Sequence, residues 1–118
     1  IPSSVTSIGS SAFYNCSSLT TITIKSSSFK SFGIADFWGC SNLETIYYYG
    51  LSEPSYDTRI GCYSSDLGCG SSSSTVGCAP FYCSVDKLTT VYVRSSGYSG
   101  SSDSFCGKSV TISKTLQE

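Results

Sequence analysis

The chain has 118 residues, a net charge of −1 and only 13% charged side chains, so it carries no electrostatic footprint for nucleic acid or an anionic membrane. Aromatic residues make up 14%, which separates it from disordered chains of similar polarity and implies one folded domain. No apolar run approaches the roughly 20 residues that cross a bilayer, and no basic-then-apolar leader opens the chain.

Reading from the N-terminus, "VTSIGSSAFYNCSSLTTITI" (5–24) returns as "FKSFGIADFWGCSNLETIYY" (29–48). Gly9 and Gly33, Phe13 and Phe37, Cys16 and Cys40, Leu19 and Leu43, and Ile22 and Ile46 are each separated by 24 residues. A third copy closes on "FYCSVDKLTTVYV", where Leu88, Val91 and Val93 keep the spacing of Leu19, Ile22 and Ile24. A period in the twenties built on L-x-x-L-x-L marks leucine-rich repeats. One such unit cannot bury its own apolar edge, so neighbouring units stack and share a core. The predicted fold is a β-rich leucine-rich-repeat solenoid. It has a parallel sheet with one short strand per ~24-residue repeat, little regular α-helix and a C-terminal cap.

Strand alternation then sorts each copy into two faces. Ile22 and Ile24, Ile46 and Tyr48, and Val91 and Val93 turn inward, while Thr21, Thr23 and Lys25, Thr45, Tyr47 and Tyr49, and Thr90, Tyr92 and Arg94 turn outward. Val5 and Ile8, then Phe29 and Phe32, supply a second apolar edge ending at Gly9 or Gly33, where a turn of positive φ is expected. The segments "SSAFYNC" and "IADFWGC" are each expected to form a tight helical or 3₁₀ turn that plugs Phe13 and Phe37 into the stack. Cys16, Cys40 and Cys83 then occupy equivalent interior sites, unpaired and inert.

The stretch "IPSSVTSIGSSAFYNCSSLTTITI" (1–24) resembles the BspA-like leucine-rich repeat family, and "VYVRSSGYSGSSDSFCGKSV" (91–110) resembles the serine-rich end of its protist members. The resemblance implies a surface or secreted protein of bacteria or parasitic protists that adheres to host cells or matrix proteins. It brings no catalytic residues and no cofactor. On this reading the repeats span 1–24, 25–48 and 49–93, the third holding a cysteine-containing insertion at about 62–80 after Ile60-Gly61, a pair that echoes Ile8-Gly9. Residues 94–118 form the capping segment. Ile1, Val5 and Ile8 open a full repeat with no capping segment before them, so further repeats are expected upstream in a parent chain.

Competing chemistry is weak. Cys62, Cys69, Cys78 and Cys83 lack the C-x₂₋₄-C spacing of a zinc knuckle and there is no histidine, so no metal is expected. A disulfide joining Cys62 to Cys69 or to Cys78 is the simpler reading. Without histidine the usual general base is missing, and Asp36, Glu44, Glu53, Asp57, Asp66, Asp86 and Asp103 show no dyad spacing, so no enzyme is expected. "NCS" at Asn15 has the form of a glycosylation sequon but reads as a turn asparagine. The Thr21/Thr23 pair hints at ice or mineral binding, which the tyrosines at 47 and 92 disfavour by breaking the row.

The candidate binding face is therefore Thr21, Thr23, Lys25, Thr45, Tyr47, Tyr49, Thr90, Tyr92 and Arg94, facing a protein partner. Tyrosine and threonine are also ordinary strand residues, so a purely architectural role, terminal repeats and cap of a longer solenoid, stands beside it.

Overall fold

The computed structural model describes residues 1–9, 12–33, 37, 40–55, 87–106 and 108–117. Within them lie six strands: β1 (Thr21–Ile24), β2 (Thr45–Tyr48), β3 (Thr90–Arg94), β4 (Ser104–Phe105), β5 (Lys108–Ser109) and β6 (Thr111–Leu116). β-Branched and aromatic residues make up the first three apart from Arg94 at the end of β3, as suits a short pleated rung. The main sheet runs β1-β2-β3-β6 with every pair parallel, and β4 and β5 form a small antiparallel pair. No helix occurs among the described residues. The expected solenoid of short parallel strands is the observed architecture.

The 24-residue period sets the first register, Ile22 opposite Ile46. Ile46 opposite Val91 and Val91 opposite Ile112 continue the core column across longer and shorter connections. Ile24, Tyr48 and Val93 form the second, and the three are fully buried. A second, thinner edge runs through the parallel bridges Ser7–Ser31–Ser55. Its hydrogen bonds include Ile8 N–H to Ser31 O at 3.1 Å and Phe32 N–H to Ser55 O at 3.0 Å. Each rung thus encloses the core from two sides. The third rung of this edge is Ser55, again 24 residues on, whereas the Ile60-Gly61 echo lies outside the described residues.

Aromatic stacking fills the space between the edges. Phe13 and Phe37 are stacked with centroids 5.3 Å apart and planes 4° from parallel, as equivalent plugs in successive rungs. Phe29 and Phe32 pack behind them at 5.1 Å from one another. The turn holding Phe13 closes with Cys16 N–H donating to Phe13 O at 3.1 Å. Positive φ falls at Asn15 (62°), and Gly9 does not take the left-handed conformation expected of it. Asparagine tolerates that region better than most side chains, and the second copy carries glycine at the same place, position 39.

Two features of residues 94–118 go beyond a polar cap. Tyr98, Phe105 and Cys106 enter the core, with Phe105 5.2 Å from Tyr48 and 6.3 Å from Phe32 between ring centroids. β6 then adds a fourth rung to the sheet. Its Ile112 continues the first core column half-buried, while exposed Lys114 stands where Ile24, Tyr48 and Val93 are buried. A charge at that position ends the apolar column.

Candidate functional site

The triplet Tyr47-Tyr48-Tyr49 divides as the alternation predicts. Tyr48 is wholly buried, packed edge-on against Phe29, Tyr98 and Phe105, and its hydroxyl donates to Ser52 O at 2.6 Å. Burial pushes its phenol well above the usual tyrosine range, with lesser contributions from Cys106, Tyr98 and Glu53. Gly50 makes this possible: a Cβ there would overlap the Tyr48 ring and hydroxyl. Tyr98 and Gly100 repeat the arrangement. Tyr47 and Tyr49, half-buried, lie on the opposite face of the strand.

That opposite face assembles the predicted residues into rows. Thr21, Thr45 and Thr90 are in register and Thr111 of β6 extends them to four. The next row is Thr23, Tyr47, Tyr92 and Ser113. Tyr47 and Tyr92 stack on one another, with centroids 5.1 Å apart and planes 18° from parallel. Lys25, Tyr49 and Arg94 lie beside them where the strands end. Thr21, Lys25 and Thr111 are exposed, and the other predicted residues of the face are half-buried. The face is thus a hydroxyl-lined surface with a central aromatic pair and two cationic side chains along one margin. It offers area and hydrogen bonds, and no acid–base pair.

Residues missed in the sequence reading brace the corner where the strands begin. Lys87 Nζ donates to Asn42 Oδ1 at 2.8 Å, and Asn42 Nδ2 donates to Ser17 O at 2.7 Å, so three successive rungs are tied by side chains. The only signal was the recurrence of polar residues just before Leu43 and Leu88.

Cys16 corrects the expectation of three equivalent interior thiols. Cys40 is buried and its S–H donates to Phe13 O of the preceding rung at 3.1 Å. Cys16, in the other of these two stacked turns, is exposed. Cys106 is buried against Pro54 O at 3.7 Å. Cys62, Cys69, Cys78 and Cys83 lie outside the described residues. Among the described residues no three His, Cys, Asp or Glu side chains come together as metal ligands would, and no helix is long and apolar enough to cross a membrane.

Two rungs with this turn, this stacked phenylalanine pair and this strand spacing match a known repeat. Residues 1–53 fit the family model described as a BspA type leucine rich repeat region (6 copies). This segment belongs to the BspA-type leucine-rich repeats. Such repeats are in general protein-interaction modules without enzymatic activity, typical of surface or secreted bacterial proteins. The match stops at residue 53, while parallel strand pairing carries on through β3 and β6 to Leu116. Comparison with curated proteins and with solved structures gave no match.

Proposed function

We propose that this chain is a protein-binding segment of a cell-surface or secreted adhesin, and that the outer face of its sheet contacts a host-cell or extracellular-matrix protein. The observation that carries the reading is the Tyr47–Tyr92 stack at the centre of a broad hydroxyl-lined face. Two rings held against each other on a parallel sheet lose little further freedom on binding, and tyrosine and arginine are the side chains on which interfaces most often depend. Thr21, Thr23, Thr45 and Thr90 supply hydrogen-bonding groups around them. Lys25 and Arg94 supply a cationic margin, with Tyr49 between them.

The test compares wild type with the Tyr47→Ala/Tyr92→Ala double variant on immobilised matrix proteins and on intact host cells, after circular dichroism has shown both folded. Removal of two central anchors should weaken binding by about 30-fold or more, the effect of a hot spot worth 2 kcal/mol. Equal binding by the two proteins would place the contact elsewhere.

A second reading is favoured by a separate observation. Lys114 interrupts a column that is otherwise buried, and Ile112 beside it is only half-buried. A terminal rung needs such a polar end to keep the stack soluble. In this reading the segment shields a longer solenoid and has no ligand of its own; absence of binding by folded wild-type protein would favour it.

A further inference from the structure

The turns that carry Cys16 and Cys40 are copies stacked one rung apart. In each, the cysteine N–H donates to the carbonyl of the phenylalanine three residues earlier, at 3.1 Å and 3.0 Å. In each, the cysteine carbonyl accepts from the leucine three residues later, both at 3.1 Å. Phe13 O therefore receives two donors, the Cys16 N–H and the Cys40 S–H, each at 3.1 Å. The Cys40 sulfur therefore lies directly against the turn that holds Cys16. Neighbouring rungs are separated here by about the 5.3 Å of the Phe13–Phe37 stack. Cα atoms joined by disulfides lie roughly 4.4–6.8 Å apart, so the rung spacing is compatible with a bridge after side-chain rotation.

We propose that Cys16 is a site of thiol–disulfide exchange and that Cys40 is its resolving partner, so that a small-molecule disulfide converts the pair into a cross-link between the first two rungs. Exposed Cys16, as thiolate, attacks one sulfur of the small disulfide. A mixed disulfide forms and one small thiol leaves. Cys40 then gives its proton to solvent, attacks the Cys16 sulfur and expels the second small thiol. Two protein thiols are oxidised to one disulfide while the small disulfide is reduced to two thiols. The first step needs only the exposure of Cys16. The second requires Cys40 to leave Phe13 O, and burial raises its thiol pKa, so closure is the slower step.

The sequence makes the product easy to read. Trypsin leaves Cys16 as the sole cysteine of peptide 1–25 and Cys40 as the sole cysteine of peptide 31–59. Native chain is incubated with glutathione disulfide, quenched with acid, blocked and digested without reductant. The expected result is a 1–25/31–59 disulfide-linked species preceded by the glutathione adduct of 1–25. In the Cys40→Ser variant, whose hydroxyl can still donate to Phe13 O, the adduct should form and persist without the linked species. The cross-linked wild type should also melt several degrees higher, because a bridge closing a loop of this length restricts the unfolded chain. An adduct on Cys16 that persists with Cys40 present would overturn the proposal. So would linkage of 1–25 to any other cysteine peptide, or an unreacted Cys16.

Discussion

Gly50→Ala isolates one packing constraint that explains why a tyrosine can occupy an isoleucine position in the core. The added methyl would overlap the Tyr48 ring, which is fully buried against Phe29, Tyr98 and Phe105. Gly50 does not have a left-handed φ, so alanine meets no backbone penalty of that kind. Overpacking of this sort costs about 1–3 kcal/mol. In a domain of this size that lowers the melting temperature by roughly 4–12 °C. The decisive comparison is with Tyr48→Ile, which installs the residue found one rung earlier at Ile24. In that background the methyl has no ring to meet, and Gly50→Ala should be neutral or stabilising by about 0.4–1 kcal/mol through the less flexible unfolded chain. Urea denaturation of the four proteins gives the coupling directly, and it should exceed about 1 kcal/mol. Equal effects of Gly50→Ala in both backgrounds would refute the argument that glycine is there for the tyrosine.

Four further outcomes follow from the buried polar groups and the turn. Tyr48→Phe removes the hydroxyl donor to Ser52 O and should cost about 1 kcal/mol in urea denaturation. Tyr98→Phe should be neutral or stabilising, since the Tyr98 hydroxyl is buried with no hydrogen-bond partner among the described residues. Burial holds both phenols above the ordinary tyrosine pKa of about 10, with Glu53 and Cys106 adding to the shift. The folded chain therefore keeps these protons more tightly than the unfolded chain. Their contribution is complete below about pH 10 and is lost as pH rises toward the folded values, so the urea midpoint should fall above pH 10 and less steeply in the Tyr48→Phe/Tyr98→Phe protein. At Asn15, with φ at 62°, replacement by glycine should be nearly neutral and replacement by valine should cost about 1–2 kcal/mol by thermal melting.

Much of the fold was legible because a solenoid writes its geometry as a period. The 24-residue interval placed Ile22 and Ile46 in one column, the spacing from Leu88 added Val91, and alternation alone sent Tyr48 inward and Tyr47 outward. The pairing of Tyr47 with Tyr92 followed from the same register. Where the period is broken, the sequence was silent. Thr111–Leu116 lies outside the L-x-x-L-x-L spacing, so its place as a fourth rung could be found only once the intervening chain was folded. Tyr98 and Phe105 sit among serines and glycines, and local polarity concealed their entry into the core. Cys16 and Cys40 look alike in sequence, and they differ because the carbonyl that receives the Cys40 thiol comes from the preceding rung. The Gly50 constraint was hidden for a related reason: its cause is the reach of a side chain two residues away.

Stacked parallel rungs presenting Tyr47 and Tyr92 together are the basis of both the fold and the proposed binding face. Backbone nuclear Overhauser contacts measured on the isotope-labelled chain test them most directly. Parallel stacking gives Hα-to-amide contacts joining Ile22 with the Ile46 region and Ile46 with the Val91 region, together with ring-proton contacts between Tyr47 and Tyr92. Close Hα-to-Hα contacts between these strands, the mark of antiparallel pairing, or ring protons of the two tyrosines with no mutual contact, would contradict it.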